Sequence, residues 1–474
     1  MKKCEGLFSH TVMLGAATAF SKAVAFLLLP FYTAHLTPAE FGTADVLVDT
    51  AVLLLPFISL NAPEAVFRFL VGRGEEDKRI VISSGIALFA IGLCSLGVLL
   101  PFARLSLLLF SYLPYLIGYM LASLSRSLLA HILRAEGRYG LYALQQLCCA
   151  LLTVLLQVLF LAPFHLGVRG YLLGVILSDA AIAVALLLCT KPWHYFSIFA
   201  VRREKLRAML AFALPLIPTA ALWWVISLSD RYVLLHYRGS AAIGLYAAAS
   251  RITAALGFAI GIFLETWQYA ALRVSKARRG ALYARIYDML LPVAIFGAAC
   301  LLLASPFLVS WLYAPEYGEA AVFIPFLTLA ALFSALSSFF SSIYTVALRS
   351  GATLLTSLIG AAINLLLNFL LIPTKGAVGA ALATLAAYAA IFAVRLFHSR
   401  KYLNFPRHAV RSLFSFSCLM LSASFMMQQA YRVALMMSLA AVLLFLREML
   451  TVFSFFLKRL TLFLHIRQKN TEKY

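Results

Sequence analysis

Two basic residues stand where a charge is expensive. Lys22 lies inside the apolar run 8–34, and Arg251 lies about three turns into the apolar run 241–270. At such depth in a membrane helix, a lysine or arginine faces a water-filled cavity, a partner or a ligand. Both groups suit phosphate, because ammonium and guanidinium make charge-assisted hydrogen bonds in surroundings of low dielectric. Thr11, Gly15, Thr18 and Lys22 are spaced to share one helical face. Gly244, Ala248, Arg251, Ala255, Gly261 and Glu265 fall on or near one face of the second run. Small residues beside a charge leave room for a ligand, although plain helix packing uses them too. Arg251 and Glu265 are about 21 Å apart along a helix axis, too far to pair. Two readings of Arg251 stay open: it waits for a ligand anion, or it forms a structural ion pair with Asp49.

The carboxylates form a second set. Asp45 and Asp49 stand one turn apart in the run 43–68, ahead of Pro56 and Pro63, which permit a bend. Asp179 sits near the middle of the run 167–189 and is a candidate for ion coupling, together with Asp45 and Glu265. Arg126 lies within snorkelling reach of an interface. Seven cysteines show no metal-ligand spacing, so neither a metal nor a cofactor is expected. HExxH, P-loop and GxSxG patterns are absent, which points away from an enzyme.

The elements that must position these residues are apolar helices. The chain of 474 residues is 63% hydrophobic and 12% charged, with mean hydropathy +0.94. Runs long enough to cross a bilayer recur along it, so the expected fold is an all-α polytopic membrane protein with about fourteen spans. These lie near 8–34, 43–68, 80–102, 105–133, 140–162 and 167–189, then 209–236, 241–270, 284–312, 320–348, 352–372, 377–397, 409–429 and 433–447. The net charge of +21 reads as a topology signal and not as a nucleic-acid surface. With the N-terminus in the cytoplasm, most of the 39 basic residues fall on cytoplasmic connections, Arg231 and Arg238 being among the few outside. That predicts a multi-pass protein of the plasma (inner) membrane with both termini cytoplasmic and a first helix that is retained. The connector Lys191–Arg207 places aromatic and aliphatic residues before a basic cluster and reads as a segment lying on the cytoplasmic leaflet.

That connector separates two similar halves. With a shift of 202 residues, Ala39 meets Ala241, Gly42 meets Gly244, Leu54 meets Leu256 and Asp49 meets Arg251. Gln157–Pro163 followed by Gly170 and Gly174 resembles Asn368–Pro373 followed by Gly376 and Gly379. Both matches pair each span with the sixth one after it, which makes the repeats parallel. The expected domains are an N-terminal lobe at 1–190, a basic connector at 191–208, a C-terminal lobe at 209–398, two further helices at 399–448 and a basic amphipathic tail at 449–474.

Three stretches carry a family resemblance: FSKAVAFLLLPFYTAHLTPAEFG at 20–42, SDRYVLLHYRGSAAIGLYAAASRI at 229–252 and NLLLNFLLIPTKGAVGAALAT at 364–384. In these the chain resembles the polysaccharide-transporter branch of the multidrug/oligosaccharidyl-lipid/polysaccharide (MOP) exporter superfamily. The resemblance implies two pseudo-symmetric six-helix lobes around a central cavity. It also implies flipping of a polyprenyl-pyrophosphate-linked glycan by alternating access, with a proton or sodium gradient as a possible drive. Lys22 and Arg251 match the cationic location of such cavities, with Thr18 beside Lys22; Asp49 departs from it. Three alternatives stand beside this reading: a lipid II flippase, a cation-coupled multidrug exporter and, from another class, a membrane glycosyltransferase or polymerase. The last should show a sizeable outer loop or a carboxylate cluster.

Overall fold

The structure is a computed structural model that describes residues 15, 19–71, 74–94, 110–273, 276–346, 350–401, 409–451 and 453–454. Thr11 and Thr18 lie outside the described residues, as does the side chain of Glu265. Every regular element among the described residues is a helix. The α-helices are α1 (Leu29–His35), α2 (Pro38–Ser59), α3 (Ala62–Leu70), α4 (Glu75–Cys94), α5 (Leu113–Ala135), α6 (Tyr139–Leu161) and α7 (Gly167–Thr190), followed by α8 (Arg203–Ala213), α9 (Leu216–Arg273), α10 (Lys276–Leu312), α11 (Ile324–Val346), α12 (Ser350–His398), α13 (Ala409–Met427) and α14 (Tyr431–Leu443). Nine of the described helices are long and apolar enough to cross a membrane. The all-α membrane fold expected from composition is the one observed.

The differences from the expected spans have local causes. The run at 43–68 is two helices, because Leu60 and Asn61 both adopt left-handed backbone conformations between α2 and α3. By contrast, α9 and α12 each comprise two of the expected spans, divided at a glycine that falls in the expected gap between them. Gly239 (φ 80°) breaks α9 and Gly376 (φ 57°) breaks α12. A positive φ costs a residue with a side chain far more than glycine, which is why the turn falls there.

Contacts divide the chain into two compact units. The first comprises Met1–Ala248 and Leu312–Tyr317, the second Ala249–Trp311 and Gly318–Tyr474. In the first, α7 packs on α5 and α6, while α3 packs on α4, α5 and α8. Its core gathers Ala62, Val66, Leu70, Ile82, Leu133 and Met209, all nearly or fully buried. In the second, α11 packs on α12 and α13, and α13 on α14.

Candidate functional site

The first unit contains a buried ionic cluster between α2 and the first half of α9. Asp45 and Asp49 project from one face of α2, as their one-turn spacing requires. Both meet Arg231: its Nε lies 2.8 Å from Asp45 Oδ2, and its Nη1 donates to Asp49 Oδ2 at 2.5 Å. The arginine side chain is 12% exposed. Beside it, buried Asp230 accepts the Tyr246 hydroxyl at 2.5 Å and the Arg231 amide at 2.9 Å. Thr50 and Tyr232 hydrogen-bond one layer along, and the Tyr232 ring lies 5.0 Å from that of Trp224. A forked guanidinium can hold two carboxylates at once, which a lysine cannot do with the same geometry.

Arg231 is therefore a functional-site candidate that the charge count assigned to an outer connection. The available signal was Gly239: the turn comes there, so Arg231 lies about two turns inside the helix. Asp49, set against Arg251 in the sequence, has Arg231 as its ion partner. Arg251 is half-buried on the later part of α9 and belongs to the second unit. Lys22 is exposed on the helical stretch 19–27 of the first unit.

A second ionic cluster joins α5, α6 and α7. Arg126 Nε lies 2.8 Å from Asp179 Oδ1, and Cys149 donates its thiol to the same oxygen at 3.2 Å. Thr153 and Ser178 hydrogen-bond alongside at 2.7 Å. Asp179 is 4% exposed, so the arginine is its local counter-charge. Arg126 is turned into the bundle toward this carboxylate and does not need to reach an interface.

The motif LTPAEFG is a helix start. Thr37 caps α2 and accepts from the Glu40 amide at 3.3 Å, while Glu40 Oε2 accepts from the Thr37 amide at 3.0 Å. Pro38 occupies the first turn, where its missing N–H costs nothing. Just inside, Gly42 and Gly244 meet backbone to backbone. A Cβ built on Gly42 would lie 2.6 Å from the Gly244 amide nitrogen and closer still to the Ser240 carbonyl oxygen. A Cβ on Gly244 would lie 2.7 Å from the Pro38 carbonyl carbon. The shift of 202 that pairs Gly42 with Gly244 also pairs Pro38 with Ser240, so the contact is reciprocal. Tyr317 donates its hydroxyl to Leu36 O at 2.8 Å, and Tyr313 to Ala248 O at 2.7 Å, which ties residues 312–317 to the same place.

The second repeat match also has a physical meaning. Gln157 and Asn368 are both fully or almost fully buried. Gln157 accepts the Tyr32 hydroxyl and donates to Tyr171 O at 3.2 Å, while Asn368 donates to Asn364 Oδ1 at 3.0 Å. Gly174 abuts Gln157, and Gly379 abuts the backbone at Leu371, so each hairpin is closed by a glycine.

The comparisons with known proteins bear on this arrangement. Residues 7–267 match the family described as polysaccharide biosynthesis protein. The chain belongs to that family. No curated protein matches the sequence. Among solved structures, the lipid II flippase MurJ in an inward closed conformation is similar at TM-score 0.71 and 16% identity, over 95% of this chain and 100% of that one. An inward-facing multidrug resistance MATE family transporter of the MOP superfamily is similar at TM-score 0.65 and 15% identity, over 80% of this chain and 95% of that one. An outward-facing member of the same transporter family gives 0.55 and 18%, over 83% and 94%. At these identities the likeness is one of fold: this chain is folded as these proteins are. Among the described residues, no group of His, Cys, Asp and Glu could hold a metal ion.

Proposed function

We propose that this protein flips a polyprenyl-pyrophosphate-linked oligosaccharide from the cytoplasmic to the outer leaflet by alternating access, in the synthesis of a surface polysaccharide. The observation that carries this reading is the match of residues 7–267 to the polysaccharide biosynthesis family on an all-helical, multi-span fold. The pyrophosphate cannot cross hydrocarbon unaided, and Lys22 and Arg251 are the cations assigned to meet it, with Thr18 beside the lysine. Asp45, Asp179 and Glu265 are the carboxylates assigned to ion coupling. Asp45 is already held by Arg231, and Asp179 by Arg126. A proton or sodium ion arriving at either would compete with its guanidinium, which supplies a way to link ion binding to helix position. The lobes at 1–190 and 209–398 and a plasma-membrane location with both termini cytoplasmic belong to the same reading.

A second reading, lipid II as cargo, draws on the likeness to MurJ along its whole length. Reconstitution in vesicles separates the two. Fluorescent polyprenyl-pyrophosphate glycan and fluorescent lipid II are each supplied on one side, and loss of signal to an impermeant quencher is followed. The glycan should flip and lipid II should not. Arg251→Ala and Lys22→Ala should each slow flipping at least tenfold while leaving protein yield unchanged. Normal rates in both variants would sink the cationic mechanism.

A further inference from the structure

The connector between α7 and α8 presents apolar side chains that the fold leaves uncovered. Phe199 is 99% exposed and Ile198 74%, and Trp193 and Phe196 are exposed as well. The connector is nevertheless held in place. Lys191, in a left-handed conformation, turns the chain out of α7 into short 3-10 turns at Pro192–His194 and Ile198–Ala200. Ser83 of α4 accepts the Ser197 amide at 3.0 Å and donates to Tyr195 O at 3.1 Å. Downstream, α8 fixes the other end by burying Met209 and Ala213 completely. A fixed loop with a fully exposed phenylalanine is a surface built to be covered.

Position and charge say what covers it. Thr190 ends an apolar span, so the residues that follow stand at the boundary between hydrocarbon and water. Arg202, Arg203 and Arg207 are exposed immediately after the apolar side chains, with Lys205 among them and Glu204 as the local acid. Aromatic residues that can enter acyl chains, next to basic residues that can reach headgroup phosphates, are the two components of binding to an anionic lipid surface. The basic residues that bias topology thus stand beside apolar side chains, where they can also reach headgroup phosphates.

We propose that residues 193–207 dock on the anionic leaflet of the bilayer. Phe199 and Ile198 enter the acyl region, and Arg202 and Arg203 engage lipid phosphates. The surface selects lipid by charge, and it does so whatever cargo the protein carries. The test places the photoreactive p-benzoylphenylalanine at Phe199 in the full chain, where full exposure leaves folding undisturbed. The chain is reconstituted in phosphatidylcholine vesicles containing a minority of phosphatidylglycerol, irradiated, and its adducts are weighed by mass spectrometry. Phosphatidylglycerol adducts should exceed that lipid's mole share by about fivefold, the gain of roughly one basic residue at an anionic surface. Arg202→Gln with Arg203→Gln should bring the ratio back toward the mole share while total lipid adducts persist. No lipid adducts would overturn the docking itself. Adducts at the mole share, unmoved by the arginine changes, would overturn the charge selection. A protein adduct in place of lipid when whole cells are irradiated would assign the surface to a protein partner instead.

Discussion

Arg231 and Arg395 show two ways of keeping a guanidinium inside an apolar bundle. Arg231 has two carboxylates within ion-pair distance on a neighbouring helix. Removing one partner of a buried pair strands the other, at a cost of about 3–5 kcal/mol. Arg231→Met should therefore lower the thermal unfolding temperature in detergent markedly. Adding Asp45→Asn and Asp49→Asn to it should restore part of the loss; a triple variant less stable than the single one would refute the pairing argument. Arg395 is 5% exposed and uses neutral oxygens instead. It donates to Thr356 Oγ1 at 2.9 Å, Ser337 O at 3.0 Å and Ser357 Oγ at 2.9 Å. These bonds join α11 to both halves of α12. An ammonium cannot reproduce that fork, so Arg395→Lys should cost at least one charged hydrogen bond, about 1.5–3 kcal/mol. Unfolding as stable as the parent would show that the fork is dispensable. Asp179 stood out in the sequence, as Lys22 and Arg251 did, because a charge in an apolar run is conspicuous wherever it points; of the three, the structure gives Asp179 a place in an ionic cluster. Arg231 did not stand out, because a basic residue within about two turns of the end of a run looks like a topology signal.

Glycines set where the helices stop and how closely they approach. The turns at Gly239 and Gly376 divide α9 and α12, and both residues could be read as breaks because each lies between two long apolar runs. The role of Gly42 and Gly244 is of another kind. The repeat pairs them on paper, but only the folded chain brings their backbones together. A methyl group at either would meet backbone atoms, which cannot swing aside as a side chain can. Gly42→Ala and Gly244→Ala should each cost about 1–3 kcal/mol through overpacking, and by similar amounts because the contact is reciprocal. Gly257, on the same long helix, has nothing within 4 Å of a built Cβ. There alanine should be neutral or stabilise by up to about 1 kcal/mol, from helix propensity alone. Thermal unfolding of the three purified variants checks the contrast, and equal behaviour at 42 and 257 would remove the close-approach account. The capping box at Thr37 and Glu40 was written in TPAE, a local pattern that needs no tertiary partner.

For the whole molecule, orientation is the property most open to direct test. The bias of basic residues predicts that Arg203 faces the cytoplasm and Lys375 the outside. An impermeant maleimide applied to intact cells should modify Lys375→Cys and spare Arg203→Cys, with the reverse in inverted vesicles; the opposite pattern would invert the topology. The sequence by itself determined that the chain is an all-helical, multi-span membrane protein, because 63% hydrophobic residues in runs of bilayer length have no other stable arrangement. It also carried the repeat and the family resemblance, since both are written in the order of turns and glycines along the chain. Tertiary structure alone decided which charge meets which. Ion pairs join residues far apart in the chain, as Asp49 and Arg231 are, and their choice depends on helix rotation and packing. Each residue of displacement turns a helical side chain by about 100°, so a small error in where a helix begins exchanges one partner for another. That Asp49 meets Arg231 is such a choice, and no local pattern in the sequence indicates it.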